Sequence, residues 1–297
     1  MDELIISIFC DADNFYKKFE LYIKEHCLSC KEKLSTKMCS RLTEAEVMTI
    51  CTVFHLSGYR TFKHYYNELI SDRYKKFFPD LVSYNRFVEL MSYVALPIAF
   101  FVYTRSGKCS GISFIDSTTL DVCDNHRIKQ HKVFRDIAQR GKSSTGWFYG
   151  FKHHISINDC GEILNFCLTP GNIDDRNPKV IKQLTKSMFG KLFADKGYIS
   201  QKLFDSLWNK GIELITKQKK NIKKKGLIKL SDRLLLRKRA VIESVNDFLK
   251  NICQIEHSRH RSFHNFIVNL ISGLAAYSYI PKKPSIRRGI FIDSIWN

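Results

Sequence analysis

Ile112-Ser113-Phe114-Ile115-Asp116 is a short apolar run that ends in a carboxylate, and Lys191-Leu192-Phe193-Ala194-Asp195 repeats the device. Runs this short, rich in branched and aromatic residues, read as buried strands. Carboxylates at the ends of core strands face the rim of a sheet, where ligand sites of α/β folds form. Around these two runs, Trp147–Ile157 and Glu162–Leu168 read as strands joined by the hairpin signal Asn158-Asp159-Cys160-Gly161. Pro178–Phe189 and about Ser200–Asn209 read as helices, Ile212–Thr216 as a strand, and about Leu234–Ile252 as one long helix. Residues 124–146 lack apolar periodicity and read as a loop. A hairpin followed by alternating helices and strands predicts an α/β fold, a mixed sheet flanked by helices.

Upstream, residues 1 to about 105 read as helical and aromatic-rich. Thr43 and Glu46 have the spacing of a capping box, and Val47–Leu56 is almost continuously apolar, as in a helix packed on several sides. The predicted division is therefore a helical region, 1–109, and a sheet domain, 110–297. Leu90–Val102 is too short to span a bilayer and is broken by Pro97, and Phe266–Ile280 carries Asn269, Ser272 and Ser278; both read as core. The opening Met1-Asp2-Glu3 is acidic where a secretory leader would be basic, so the expected state of the ten cysteines is reduced. The expected location is cytoplasmic, beside the nucleoid, with no membrane partner.

The formal charge of +19 on 297 residues is far from what a solvated surface needs, and a polyanion explains it most simply. Residues 217–239 hold eleven Lys or Arg, among them Lys219, Lys220, Arg237, Lys238 and Arg239, against one acid, Asp232. Such a run is often only a solvated loop. Here it lies just before Glu243, a third carboxylate on the predicted long helix, where a phosphodiester would need neutralisation. Asp116, Asp195 and Glu243 brought together would repel one another unless cations intervened. Hard oxygen ligands select Mg²⁺ or Mn²⁺, and two such ions can activate an attacking oxygen and stabilise a leaving one. The bland alternative is that each aspartate is a turn or cap residue.

The residues resemble insertion-sequence transposases of the acidic-triad (DDE) type, which share a ribonuclease H-like core, and the branch called insertion-sequence family nine-eight-two in particular. The resemblance runs through Ser83-Tyr84-Asn85-Arg86-Phe87, Ile115-Asp116-Ser117-Thr118, Gly141–Trp147, Gly150-Phe151-Lys152 and Thr169-Pro170-Gly171-Asn172. It continues through Asp195-Lys196-Gly197-Tyr198, Arg237-Lys238-Arg239, Ile242-Glu243 and Glu256–Arg261, and so covers nearly the whole chain. It implies that Asp116, Asp195 and Glu243 are the catalytic, metal-binding triad with two Mg²⁺ or Mn²⁺ ions. It further implies cleavage at the element's terminal inverted repeats, transfer of the 3′-OH into double-stranded target DNA, and a homo-oligomer on paired ends. Arg239, Glu243 and Lys250 match the family's last catalytic helix, with Arg239 and Lys250 holding phosphates; where a tyrosine is expected stands Leu236, and His153 stands where leucine is expected. Lys152, Arg259 and Arg261 complete the expected DNA contacts. The helical region is the expected reader of the repeats.

Other clusters have plainer readings. Asp174 and Asp175 suit a cap of the following helix better than extra ligands. Asp121 and Asp124 follow the first strand and compete less well than Asp116. His257, His260 and His264 could share a helical face, but Arg259 and Arg261 among them would repel a metal. His26-Cys27-Leu28-Ser29-Cys30 with Cys39 hints at zinc but lacks a second close pair. Trp147, Phe148, Tyr149 and Phe151 could stack on a base, although burial in a strand explains most of that set. Two rival functions remain at this level: a nuclease of the same fold without strand transfer, and an inactive DNA-binding derivative.

Overall fold

The computed structural model describes residues 1–26, 40–143, 146–217, 229–256 and 260–286. It forms two compact units, Met1–Arg105 with Leu249–Tyr279, and Ser106–Phe248 with the chain from Ile280 onward. The first break falls at Arg105–Ser106. The second was not foreseen: Leu249–Tyr279, assigned from sequence to the sheet domain, belongs to the helical unit.

The helical unit is organised around α1 (Asp2–His26), α2 (Glu44–Phe54), α3 (Tyr84–Leu90), α4 (Ala95–Thr104) and α9 (Phe263–Ser278). Helix α1 buries Ile5, Ile8, Ala12, Phe19 and Ile23, one helical stripe. Helix α2 starts at the predicted capping box and is buried from Val47 through Phe54, which is why its apolar residues show no period. A mostly π-helical segment, Tyr65–Arg73, follows it. The stretch Tyr84–Thr104 is long and apolar enough by composition to cross a membrane. It is broken into α3, a 3₁₀ turn and α4, and Phe87, Leu90, Ile98 and Phe101 are in the core. Helix α9 is buried almost all round, from Val268 to Tyr277, and packs on α2 and α4. That packing, made by residues far apart in sequence, is what draws the C-terminal segment into this unit. Arg105 fastens the arrangement by pairing with Asp11 at 2.8 Å, donating to Ser278 and lying 3.9 Å from the Tyr279 ring centre.

The second unit is built on β1 (Ile112–Cys123), β2 (Gln139–Ser143), β3 (Gly146–Asn158), β4 (Ile163–Pro170), β5 (Gly190–Ala194) and β6 (Ile212–Thr216). Strand β1 is central, antiparallel to β3 on one side and parallel to β5 on the other, with β6 parallel beyond β5. Strands β4 and β2 occupy one edge of β3 in tandem, β4 against Phe151–Ile157 and β2 against Gly146–Gly150. The order β4-β3-β1-β5-β6, with only β3 reversed, is the ribonuclease H-like topology. Gly161 permits the β3–β4 hairpin by adopting φ of 75°. On one face, Ile115, Leu192 and Ala194 pack with α5 (Pro178–Leu184) and α6 (Gln201–Trp208) through Ile181, Leu184, Leu203 and Leu207.

Three local expectations change. Strand β1 runs past Asp116 to Cys123, because β3 goes on pairing with it after β5 has stopped. The stretch 124–146 contains β2, an exposed edge strand in which only Gly141 is buried, so no apolar alternation marks it. The predicted long helix is α7 (Leu230–Arg237) and α8 (Ala240–Asp247), separated at Lys238–Arg239 and followed by a π-helical turn, Phe248–Ile252. Asp232, the lone acid of the basic run, is buried in α7 and accepts from Lys191 of β5. This pair ties the helix preceding Glu243 to the strand preceding Asp195. Lys191→Met would strand a buried carboxylate and should destabilise the protein to urea by about 3 kcal/mol. Adding Asp232→Leu should recover most of that loss; an unchanged urea midpoint in the single variant would show the pair to be incidental.

Candidate active site: three carboxylates around Arg239

The sheet opens where the site lies. The last rung between β1 and β5 is Phe114 with Phe193, whose rings stack at 5.5 Å. Two residues further along β1 is Asp116, and immediately after β5 is Asp195, where the chain leaves the sheet for a 3₁₀ turn. Both residues thus lie just beyond the last β1–β5 rung, Asp195 after the end of its strand and Asp116 within β1, which continues past it. Helix α8 lies across β1, burying Val241, Ile242, Val245 and Asn246 and leaving Glu243 exposed. Asn246 Nδ2 donates to Asp116 Oδ2 at 3.2 Å, which fixes the helix to the first carboxylate.

Arg239, at the joint between α7 and α8, places its guanidinium among all three acids. It is 2.6 Å from Glu243 Oε1, 3.6 Å from Asp116 Oδ1 and 3.9 Å from Asp195 Oδ1. Glu243 and Asp195 meet the same guanidinium nitrogen, so their oxygens are no further apart than the sum of those two distances. The Arg239 side chain is 12% exposed. With it in place the oxygens do not close on a common point, and among the described residues no three His, Cys, Asp or Glu side chains are arranged to hold one ion.

The electrostatics are unbalanced, with one cation facing three carboxylates. Burial pushes the Asp116 carboxyl up to about 6; Arg239 opposes the shift, and Glu243 and Asp195 add to it. An oxygen-only donor set with excess negative charge, Asp116 largely buried and Asp195 and Glu243 exposed, suits a hard divalent cation, so the residues present fit such an ion. Tyr198 lies beside the site, and burial, then Asp175 and Asp116, hold its phenol well above the ordinary range. The neighbouring face holds His154, Thr169, Asp175 and Lys152. His154 Nε2 meets Thr169 Oγ1 at 2.9 Å, and burial lowers the imidazole to about 4, so it is neutral at physiological pH.

The remaining expected residues are dispersed. Lys152 is turned inward, its ammonium bonded to Ile173 O at 3.0 Å and Asp175 Oδ1 at 3.1 Å, and so already satisfied without DNA. Arg237 and Arg261 are exposed and Lys238 is half-buried. Lys250 is in the helical unit, paired with Glu256 at 3.0 Å. Leu236, at the expected tyrosine position, is a core residue. Lys219, Lys220, His257, Arg259, Cys27, Cys30 and Cys39 lie outside the described residues. Neither Asp174 nor Asp175 caps α5; Asn177 does, accepting from Lys179 N, while Asp174 chelates Arg176. Sequence reasoning missed Asn246 and read Asp175 as a helix cap. Asn246 had a usable signal, three residues beyond Glu243 and hence on the same side of the helix.

Residues 106–263, just over half the chain, match the family model described as Transposase DDE domain. None of the curated proteins compared with the chain matches it. Among solved structures the chain is similar to a piggyBac transposase synaptic complex with hairpin DNA, determined by cryo-EM. The identity there is 11%, over 84% of this chain and 70% of that one, with a TM-score of 0.47. A family match of that extent falls across the very segment that forms the sheet and its acidic crevice, and the chain belongs to the Transposase DDE domain family.

Proposed function

We propose that this chain is a DNA transposase that cuts the ends of its own element and joins the freed 3′-OH to double-stranded target DNA. The observation that carries the reading is the meeting of Asp116, Asp195 and Glu243, from β1, the end of β5 and α8, around one guanidinium. These three would hold two Mg²⁺ or Mn²⁺ ions. When bound, such ions activate the attacking oxygen and stabilise the leaving one. The chain's own residues supply the rest. Asn246 holds Asp116 in orientation, and the buried face of α8 fixes Glu243 over the crevice. Arg239 serves as counter-ion for the carboxylates and is placed to pair with a phosphate oxygen of the strand being cut. Arg237 and Lys238, beside it, extend the cationic surface that a duplex needs.

The ordered motifs shared with insertion-sequence family nine-eight-two support the finer assignment, namely terminal inverted repeats as substrate and a homo-oligomer that pairs two ends. The helical unit is then the reader of the repeats, and the location is cytoplasmic, at the nucleoid. Supplying labelled pre-cut ends and a target plasmid with Mg²⁺ should give joined products. Asp116→Asn, Asp195→Asn and Glu243→Gln should each lower their yield by about a thousandfold. Nicks without joined products would identify a nuclease instead, and equal activity in the three variants would refute the triad.

The raised Asp116 carboxyl has a consequence for stability. It holds its proton more tightly folded than unfolded, so stability falls as pH rises from about 4 to about 6 and stays lowered above. Without divalent ions at pH 7.5, Asp116→Asn should therefore be more stable than wild type by about 1–2 kcal/mol. Mg²⁺ should raise the melting temperature of wild type above pH 6, less below it, and not that of Asp116→Asn. A variant that melts lower than wild type in EDTA would contradict this account of the crevice.

A further inference from the structure

Strand β3 is buried along nearly its whole length, yet its first aromatic is not. Phe148, Tyr149 and Phe151 are 5%, 6% and 2% exposed, whereas Trp147 is 57% exposed. Burial in the strand therefore explains its neighbours and leaves this indole unexplained. The pairing of β2 with β3 puts Lys142 directly opposite Trp147 and Arg140 opposite Tyr149, so the two cations share a face with the indole. Their charged ends are 5.9 Å and 5.6 Å from the ring centre, flanking the ring at the outer limit of cation–π contact.

The hairpin is held in place from behind. A Cβ on Gly141 would lie 2.2 Å from Gly171 O, so β2 presses against the sheet there. Asn125 Nδ2 donates to Trp147 O at 2.6 Å. Phe134, fully buried, meets Phe151 edge-on, and the Tyr149 hydroxyl donates to Phe134 O. The surface this anchors is cationic: residues 125–142 include six exposed Lys or Arg against one acid, Asp136.

Side chains along β3 alternate, so Trp147 lies on the same face of the sheet as Ile155, the register partner of Asp116. At roughly 3.4 Å per residue the indole is about 27 Å along the strand from that partner. The same-face residues between them, Tyr149, Phe151 and His153, are buried, so the indole is the exposed end of this row. An exposed indole beside two cations of the neighbouring strand fits a DNA strand offering bases and phosphates by turns. In an intact duplex the base faces are covered, so the fit is to unpaired DNA.

We propose that the β2–β3 hairpin is a single-strand contact, in which Trp147 stacks on an unpaired base while Arg140 and Lys142 bind the flanking phosphates. The inference rests on the reading of the chain as an enzyme acting on DNA. The test is fluorescence anisotropy of the full chain in EDTA, with labelled oligothymidylate and a blunt duplex of equal length. Trp147→Ala should weaken single-strand binding about tenfold and duplex binding less than twofold, and Trp147→Phe should restore most of the loss. Arg140→Gln with Lys142→Gln should flatten the salt dependence of single-strand binding by about one to two counter-ions. Unchanged single-strand binding in Trp147→Ala, or equal losses on both DNAs, would overturn the hairpin's role while leaving cleavage and joining intact. Wild type that binds neither DNA would overturn the enzymatic reading as well.

Discussion

Like charges gathered around one guanidinium set the terms for the sheet unit. Asp195 and Glu243 both disfavour the charged form of Asp116, as like charges nearby must. A fold that gathers them must either neutralise them or store the strain. Arg239 supplies one positive charge against three negative ones, and burial, more than the neighbouring acids, raises the Asp116 carboxyl. The imbalance is a reason for the site to take up further cations rather than a defect of packing.

The sheet is what makes that gathering possible. Strand β1 serves two partners of unequal reach: β5 leaves it at Phe114, while β3 accompanies it to Cys123. The separation of β5 from β1 opens a notch at the height of Asp116, and the first residue beyond β5 is Asp195. Helix α8 closes the third side through its apolar face, and the Lys191–Asp232 pair anchors the helix before it to β5. Rigid elements thus supply every carboxylate, and Arg239 sits at a joint between helices, where a side chain can swing without unpacking either one.

Legibility followed burial. Phe114-Ile115-Asp116 and Phe193-Ala194-Asp195 were readable because central strands are apolar, so a carboxylate directly after the apolar run stands out, even though β1 continues past Asp116. Strand β2, Gln139-Arg140-Gly141-Lys142-Ser143, was unreadable because an exposed edge strand needs no apolar face. The break at Lys238–Arg239 was equally silent, since both are good helix formers and the interruption comes from the surroundings. Lys152 looks like any strand lysine until the structure shows its ammonium held by Asp175 and Ile173. The union of Leu249–Tyr279 with the helical unit depends on contacts between distant segments, which no local pattern encodes.

The edge of β3 carries β4 and β2 end to end, and the two meet near Gly171, whose N–H bonds to Gly150 O. Each partner closes its own ladder, so unzipping one leaves the other paired. The Gln139–Ser143 strand is therefore modular: its exposed residues can change charge without disturbing the register of β4 or β1 with β3. A lineage of such enzymes has in this segment a place to vary what it touches while keeping what it does.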